Sequence, residues 1–96
     1  MADYVFLMHD DAVVDETGWE PYLRKLQQAD VFQGGSEIGA GVCARKKGAP
    51  GAVTAHLAGF IRVTADSLDQ AKSLLAGNPL FEAGGTVEIR ELPRSD

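Results

Sequence analysis

Tyr4-Val5-Phe6-Leu7-Met8-His9-Asp10-Asp11, "YVFLMHDD", is the stretch on which the fold turns. Residues 4–9 are apolar at nearly every position. Such a run suits a strand covered on both faces better than one with a wet side. It ends abruptly in a histidine and two acids, which mark either the rim of a site or the point where the strand meets water.

Downstream, residues 10–18 are acidic and loop-like. Trp19, Tyr22, Leu23 and Leu26 then recur at helical spacing, with Arg24, Lys25, Gln27 and Gln28 opposite, so the pattern predicts a helix over 19–30. Thr17 and Glu20 have capping-box spacing, and Pro21 suits a first turn. Val31 to Ile38 reads as a second strand broken by Gly34-Gly35, and residues 39–53 as a glycine-rich loop or loose hairpin carrying Arg45-Lys46-Lys47.

Residues 54–64, "TAHLAGFIRVT", read as a third strand. Period-two counting places Leu57, Ile61 and Val63 on one face and His56, Phe60 and Arg62 on the other. A second helix follows over 67–76, capped by Ser67 with Gln70, striped by Leu68, Ala71, Leu74 and Leu75, and ended by Gly77 and Pro79. Residues 86–92, "TVEIREL", form the fourth strand, with Val87 and Ile89 opposite Thr86, Glu88 and Arg90.

The order is β-α-β-β-α-β, and in each half a helix leads to a glycine pair and then a strand. Two such halves build the α+β, ferredoxin-like split βαβ sandwich, a four-stranded antiparallel sheet with both helices on one face. Strands one and three would be central and strands two and four edges. The second face then stays bare. Strand one presents there either Tyr4, Phe6 and Met8, or Val5 and Leu7 with His9, and strand three adds Phe60. At about 25 cal/mol per Å², leaving these side chains wet costs several kcal/mol, a large share of a small domain's stability. A second copy covering the face is the expected remedy, so the chain is expected to be a homodimer.

Ninety-six residues fit one domain spanning 1–96. The formal charge of −5 argues against nucleic acid and anionic lipid as partners. The lone cysteine, Cys43, cannot form an internal disulfide or a paired-cysteine metal site; a reduced, half-buried thiol in a cytoplasmic protein is expected. No signal peptide or membrane span is expected. Neither glycine pair opens a helix in the manner of a dinucleotide-binding loop, so no cofactor is expected, nor a metal.

Several side chains carry candidate chemistry. His9 with Asp10 and Asp11 reads as an imidazole oriented by a carboxylate at a strand's end, or as a solvated terminus. His56, Phe60 and Arg62, joined by Glu88 and Arg90 from strand four, read as a polar lining for a small anionic or aromatic ligand, or as an inter-subunit salt-bridge set. Arg62 inside a central strand needs a partner for its charge. Trp19 and Tyr22 read as core. The Arg45-Lys46-Lys47 run reads as a solvated loop, with no RNA-binding aromatic motif beside it.

The segments "YVFLMHDD", "LAGFIRVTADSLDQAKSLLAGNP" and "GGTVEIRELP", nearly half the chain, resemble the YCII-related proteins, whose branches include one with a DGPF motif. The resemblance implies a ferredoxin-like sandwich that pairs sheet to sheet as a dimeric α/β barrel, with small, often aromatic molecules handled in a pocket between the sheet and its partner. The DGPF motif is absent, and Thr54-Ala55-His56 stands near its place. Aligning "EPYLRKL" with the family's first helix puts Tyr22 where the shorter branch carries a histidine paired with an aspartate. The residues themselves give a candidate catalytic set of His9, Asp11 and His56, with Phe60, Arg62, Glu88 and Arg90 binding substrate, and the resemblance adds Tyr22 to the catalytic set. A tyrosine is a poor base near neutral pH. A non-catalytic dimerisation module is the alternative.

Overall fold

The computed structural model describes residues 1–94. Four strands, β1 (Ala2–His9), β2 (Phe32–Glu37), β3 (Leu57–Ala65) and β4 (Val87–Leu92), form one antiparallel sheet in the order β2-β3-β1-β4. Helices α1 (Trp19–Gln28) and α2 (Leu68–Ser73) follow β1 and β3, and a short α3 (Pro79–Glu82) precedes β4. This is the α+β, ferredoxin-like arrangement that the sequence predicts. No helix among the described residues is long and apolar enough to cross a membrane.

The apolar run of β1 is explained by its central place, with β3 on one edge and β4 on the other. Tyr4, Phe6 and Met8 are buried toward the helices, beside Ile61, Val63 and Ala65 of β3. Tyr22 and Leu26 of α1, Ala71 of α2, and Leu75 and Leu80 complete the core. Each large apolar side chain fully buried here stabilises the fold by about 1.5–3 kcal/mol. The choice left open for β1 therefore resolves: Val5, Leu7 and His9 face the other way. There the register sets Val5 between Arg62 and Arg90, and Leu7 between Phe60 and Glu88. The helices leave this face uncovered.

The element boundaries depart from the sequence pattern in four places. The third strand begins at Leu57, not at 54, because β1 ends at His9 and β2 at Glu37, and residues 54–56 have no ladder to join. His56 therefore precedes the strand, in a bend. Asp15 caps a 3-10 turn over Glu16–Gly18, its carboxylate accepting from the Thr17 N–H at 3.1 Å; that turn leads into α1, whose N-cap is Gly18 with no side-chain bond, so the Thr17–Glu20 capping box does not form. The second helix ends near Ser73, and Asn78 starts α3 by accepting from the N–H groups of Leu80 and Phe81. Residues 38–56 form a long exposed arm without regular structure; Cys43 lies on it and is exposed rather than half-buried. The glycine pair before β2's second half acts as expected. Gly34, with φ +119°, sits where the β2–β3 register shifts.

Candidate functional site

A cavity of about 420 Å³ opens between α1, the loop that follows β1, and the β2–β3 end of the sheet. Its walls follow from local sequence. Trp19 and Leu23 lie one helical turn apart on α1 and both face it. Phe32 closes one side from the start of β2. The sheet beneath is thinned by two glycines, Gly35 of β2 and Gly59 of β3, which sit at helix-side positions of the register. A Cβ on Gly35 would fall 2.5 Å from the Phe60 carbonyl oxygen, and one on Gly59 would fall 3.1 Å from the Ser36 carbonyl oxygen. A side chain at Gly35 would clash with the neighbouring strand and one at Gly59 would press on it, so both positions at the base of the cavity are bare backbone.

The polar groups of the cavity gather at the sheet's end. His9 borders it where a register shift between Met8 and His9 ends β1, with its ring turned toward Glu88 on the open-face side. Asp10, Glu16 and Glu37 border the mouth. The His9 imidazole Nε2 lies 3.1 Å from Glu88 Oε1, and its ring meets the His56 ring edge to face with centroids 4.7 Å apart. Glu88 also accepts from Arg90 Nη1 at 3.0 Å. Arg90 first and His9 second hold the Glu88 carboxyl below the ordinary carboxylate range. Glu88 thereby fixes one ring nitrogen of His9, as a group moving a proton requires.

The expected site residues fall in three places instead of one. His9 and Phe60 border the cavity, although the register directs the Phe60 side chain to the open sheet face. His56, Glu88, Arg62 and Arg90 do not line it; the two arginines are exposed on the open face on either side of Val5. Asp11 does not orient His9; that carboxylate is Glu88, from the other end of the chain. Asp11 instead accepts from the Thr86 N–H at 2.9 Å. Tyr22 is in the core, its hydroxyl donating to the Leu74 carbonyl at 3.0 Å. Burial pushes its phenol up to about 12, with the Asn78 side chain opposing the shift. That leaves Tyr22 neither exposed to a ligand nor ready to lose a proton.

The sequence predicts a pocket between the open sheet face and a partner; the cleft that a single chain forms by itself lies on the helix side. Sequence reasoning assigned Trp19 to the core, read Gly34-Gly35 as a break in the second strand, and gave Gly59 no role. The available signal was Gly35 and Gly59 inside strands, where a missing side chain also marks close approach by another group. Among the described residues no cluster of three or more His, Cys, Asp or Glu side chains could hold a metal ion.

No family model matches the chain. No curated protein matches its sequence. Among solved structures, the fold is similar to that of 5-chloro-2-hydroxyhydroquinone dehydrochlorinase from Burkholderia phenoliruptrix AC1100, determined in complex with 2,5-dihydroxybenzoquinone. The TM-score is 0.61 at 17% sequence identity, over 99% of this chain and 96% of that one. At that identity the likeness speaks for the fold.

Proposed function

We propose that residues 1–96 form a single YCII-related domain that binds a small, largely apolar or aromatic molecule in the cavity between α1 and the sheet. The observation that carries this reading is the cavity itself, about 420 Å³, apolar along Trp19, Leu23 and Phe32, and polar at its His9 end. That size and that mix suit a one-ring ligand held by a few convergent polar groups. The structural neighbour, solved with a hydroxylated quinone, supports the same ligand class. In this reading His9, steadied by Glu88, exchanges a proton with the ligand. The exposed Cys43 thiol agrees with a reducing compartment, so the reading keeps the chain in the cytoplasm.

Trp19 is the chain's one tryptophan and borders the cavity, so its emission reports on this site alone. Titration with hydroquinone should change Trp19 fluorescence saturably and shift the amide signals of Gly35 and Gly59. Ala12→Phe, which fills the cavity from its rim, should abolish both changes, and Arg62→Ala should leave them intact. Binding that survives Ala12→Phe but vanishes in Arg62→Ala would return the site to the open sheet face.

The reading includes a second copy over that face. Val5, Leu7 and Phe60 are only half-buried there, and acidic Glu88 beside basic Arg90 gives the face the self-complementary charge that a two-fold pairing uses. Sedimentation should give a dimer that Leu7→Glu converts to a folded monomer. A wild-type monomer, stably folded at micromolar concentration, would favour a different role for the face. A dimer whose cavity takes no ligand would favour the non-catalytic module instead.

A further inference from the structure

The charges around the cavity are one-sided. Asp10, Glu16 and Glu37 border its mouth, and among the described residues no lysine or arginine lines it. The arginines of the sheet, Arg62 and Arg90, lie on the opposite face, and the basic run Arg45-Lys46-Lys47 is out on the exposed arm. Among the described residues bordering the cavity, His9 is the one able to turn positive, and its ring already faces the Glu88 carboxylate. A carboxylate or phosphate entering here would meet three acids and find no free cation. An ammonium group would meet those acids at the mouth, while an apolar body behind it would pack against Trp19 and Phe32.

Resting on the ligand-binding reading above, we infer that the cavity selects molecules with an apolar or aromatic body and a cationic amine, and rejects anionic ones. This reverses the preference that Arg62 and Arg90 suggest when the sequence is read alone. The body would lie over the glycine floor between Trp19 and Phe32. The amine would point to the mouth, where Glu16 arrives from the 3-10 turn and Glu37 from the end of β2. Both carboxylates are exposed, so the selection is a screened, salt-dependent attraction instead of a buried ion pair.

The test compares phenethylamine, 2-phenylethanol and phenylacetate, which share a ring and differ at the charged end. Binding is followed by the amide signals of Gly35 and Gly59 and by Trp19 emission. At low salt phenethylamine should bind about tenfold more tightly than phenylacetate, with the alcohol between them. The double variant Glu16→Gln/Glu37→Gln should remove most of that gap without changing affinity for the alcohol. High salt should narrow the gap in the wild type alone. Equal affinities, a preference for phenylacetate, or a gap that persists in the double variant would overturn the inference. In those cases 2-phenylethanol bound at the cavity would leave the ligand-binding reading intact, whereas no binding by any of the three would overturn both.

Discussion

The carboxylate of Asp11 accepts a hydrogen bond from the backbone N–H of Thr86 at 2.9 Å, joining residues 75 positions apart. This contact ties the loop after β1 to the start of β4, the strand beside it. It also explains why the apolar strand ends in acids. Asp11 satisfies a strand-end donor that the ladder cannot reach, since β4 begins only at Val87. Gly85 permits the approach: its added Cβ would lie 3.0 Å from the Asp11 oxygen and 2.5 Å from Leu80 Cδ1.

Hydrogen bonding from Thr86 holds the Asp11 carboxyl below its ordinary value. A carboxyl whose folded-state pKa is depressed contributes stability above its unfolded value, near pH 4, and loses that contribution as pH falls through the folded-state value. Asp11→Ala should therefore melt below the wild type at pH 6, and the difference should shrink as pH is taken from 4 toward 2. Thermal melts across that range check it; a gap constant with pH would show that the charge on Asp11 plays no part.

Tyr22 should govern behaviour at the alkaline end. Its folded-state pKa of about 12 lies above the unfolded value near 10, so the native state holds its proton longer. That contribution is complete below pH 10 and is lost as pH rises toward 12. Tyr22→Phe should cost about 1 kcal/mol at neutral pH by removing the bond to the Leu74 carbonyl. It should also flatten the stability profile between pH 10 and 12. Denaturant titrations at pH 8, 10 and 11.5 measure both effects.

How far the sequence could be read depends on which residues carry the signal. The β1 run and the stripe through Trp19, Tyr22, Leu23 and Leu26 are driven by burial, which writes itself into periodicity, and the strand order followed from them. Side-chain partnerships were not legible in this way. The partner of His9 is Glu88 rather than its neighbour Asp11, because chain reversal brings β4 beside β1. Parity counting set His56 on a strand that starts one residue later, at Leu57, and a register shift at His9 disturbs the alternation there. The cavity was least legible, because its base is formed by Gly35 and Gly59, which carry no side chain to mark it.

Gly35→Ala tests that glycine floor directly. The added methyl would sit 2.5 Å from the Phe60 carbonyl oxygen and 3.1 Å from Ile61 Cα, both backbone atoms that cannot step aside without shifting the β2–β3 pair. The substitution should cost about 1–3 kcal/mol. Gly39→Ala, on the arm with nothing within 4 Å of the added atom, should change stability by less than about 0.5 kcal/mol. Chemical denaturation of the pair of variants separates close approach from the general entropy of glycine.

The arm over residues 38–56 should be dispensable for folding. Every residue of it is exposed, yet its ends are already together, with the Ile38 N–H donating to the Ala58 carbonyl at 3.0 Å. Its internal side-chain contacts reduce to such weak links as Arg45 Nη1 to the Ala49 carbonyl at 3.3 Å. Replacing residues 39–55 by a four-residue turn would remove no core packing and would lower the closure entropy, a gain of about 1 kcal/mol. The shortened chain should keep its far-ultraviolet circular dichroism and melt at or slightly above the wild type. A fall of more than a few degrees that disappears on dilution of both proteins would mean that the arm contributes through a second copy. A fall independent of concentration would mean that the arm supports its own sheet.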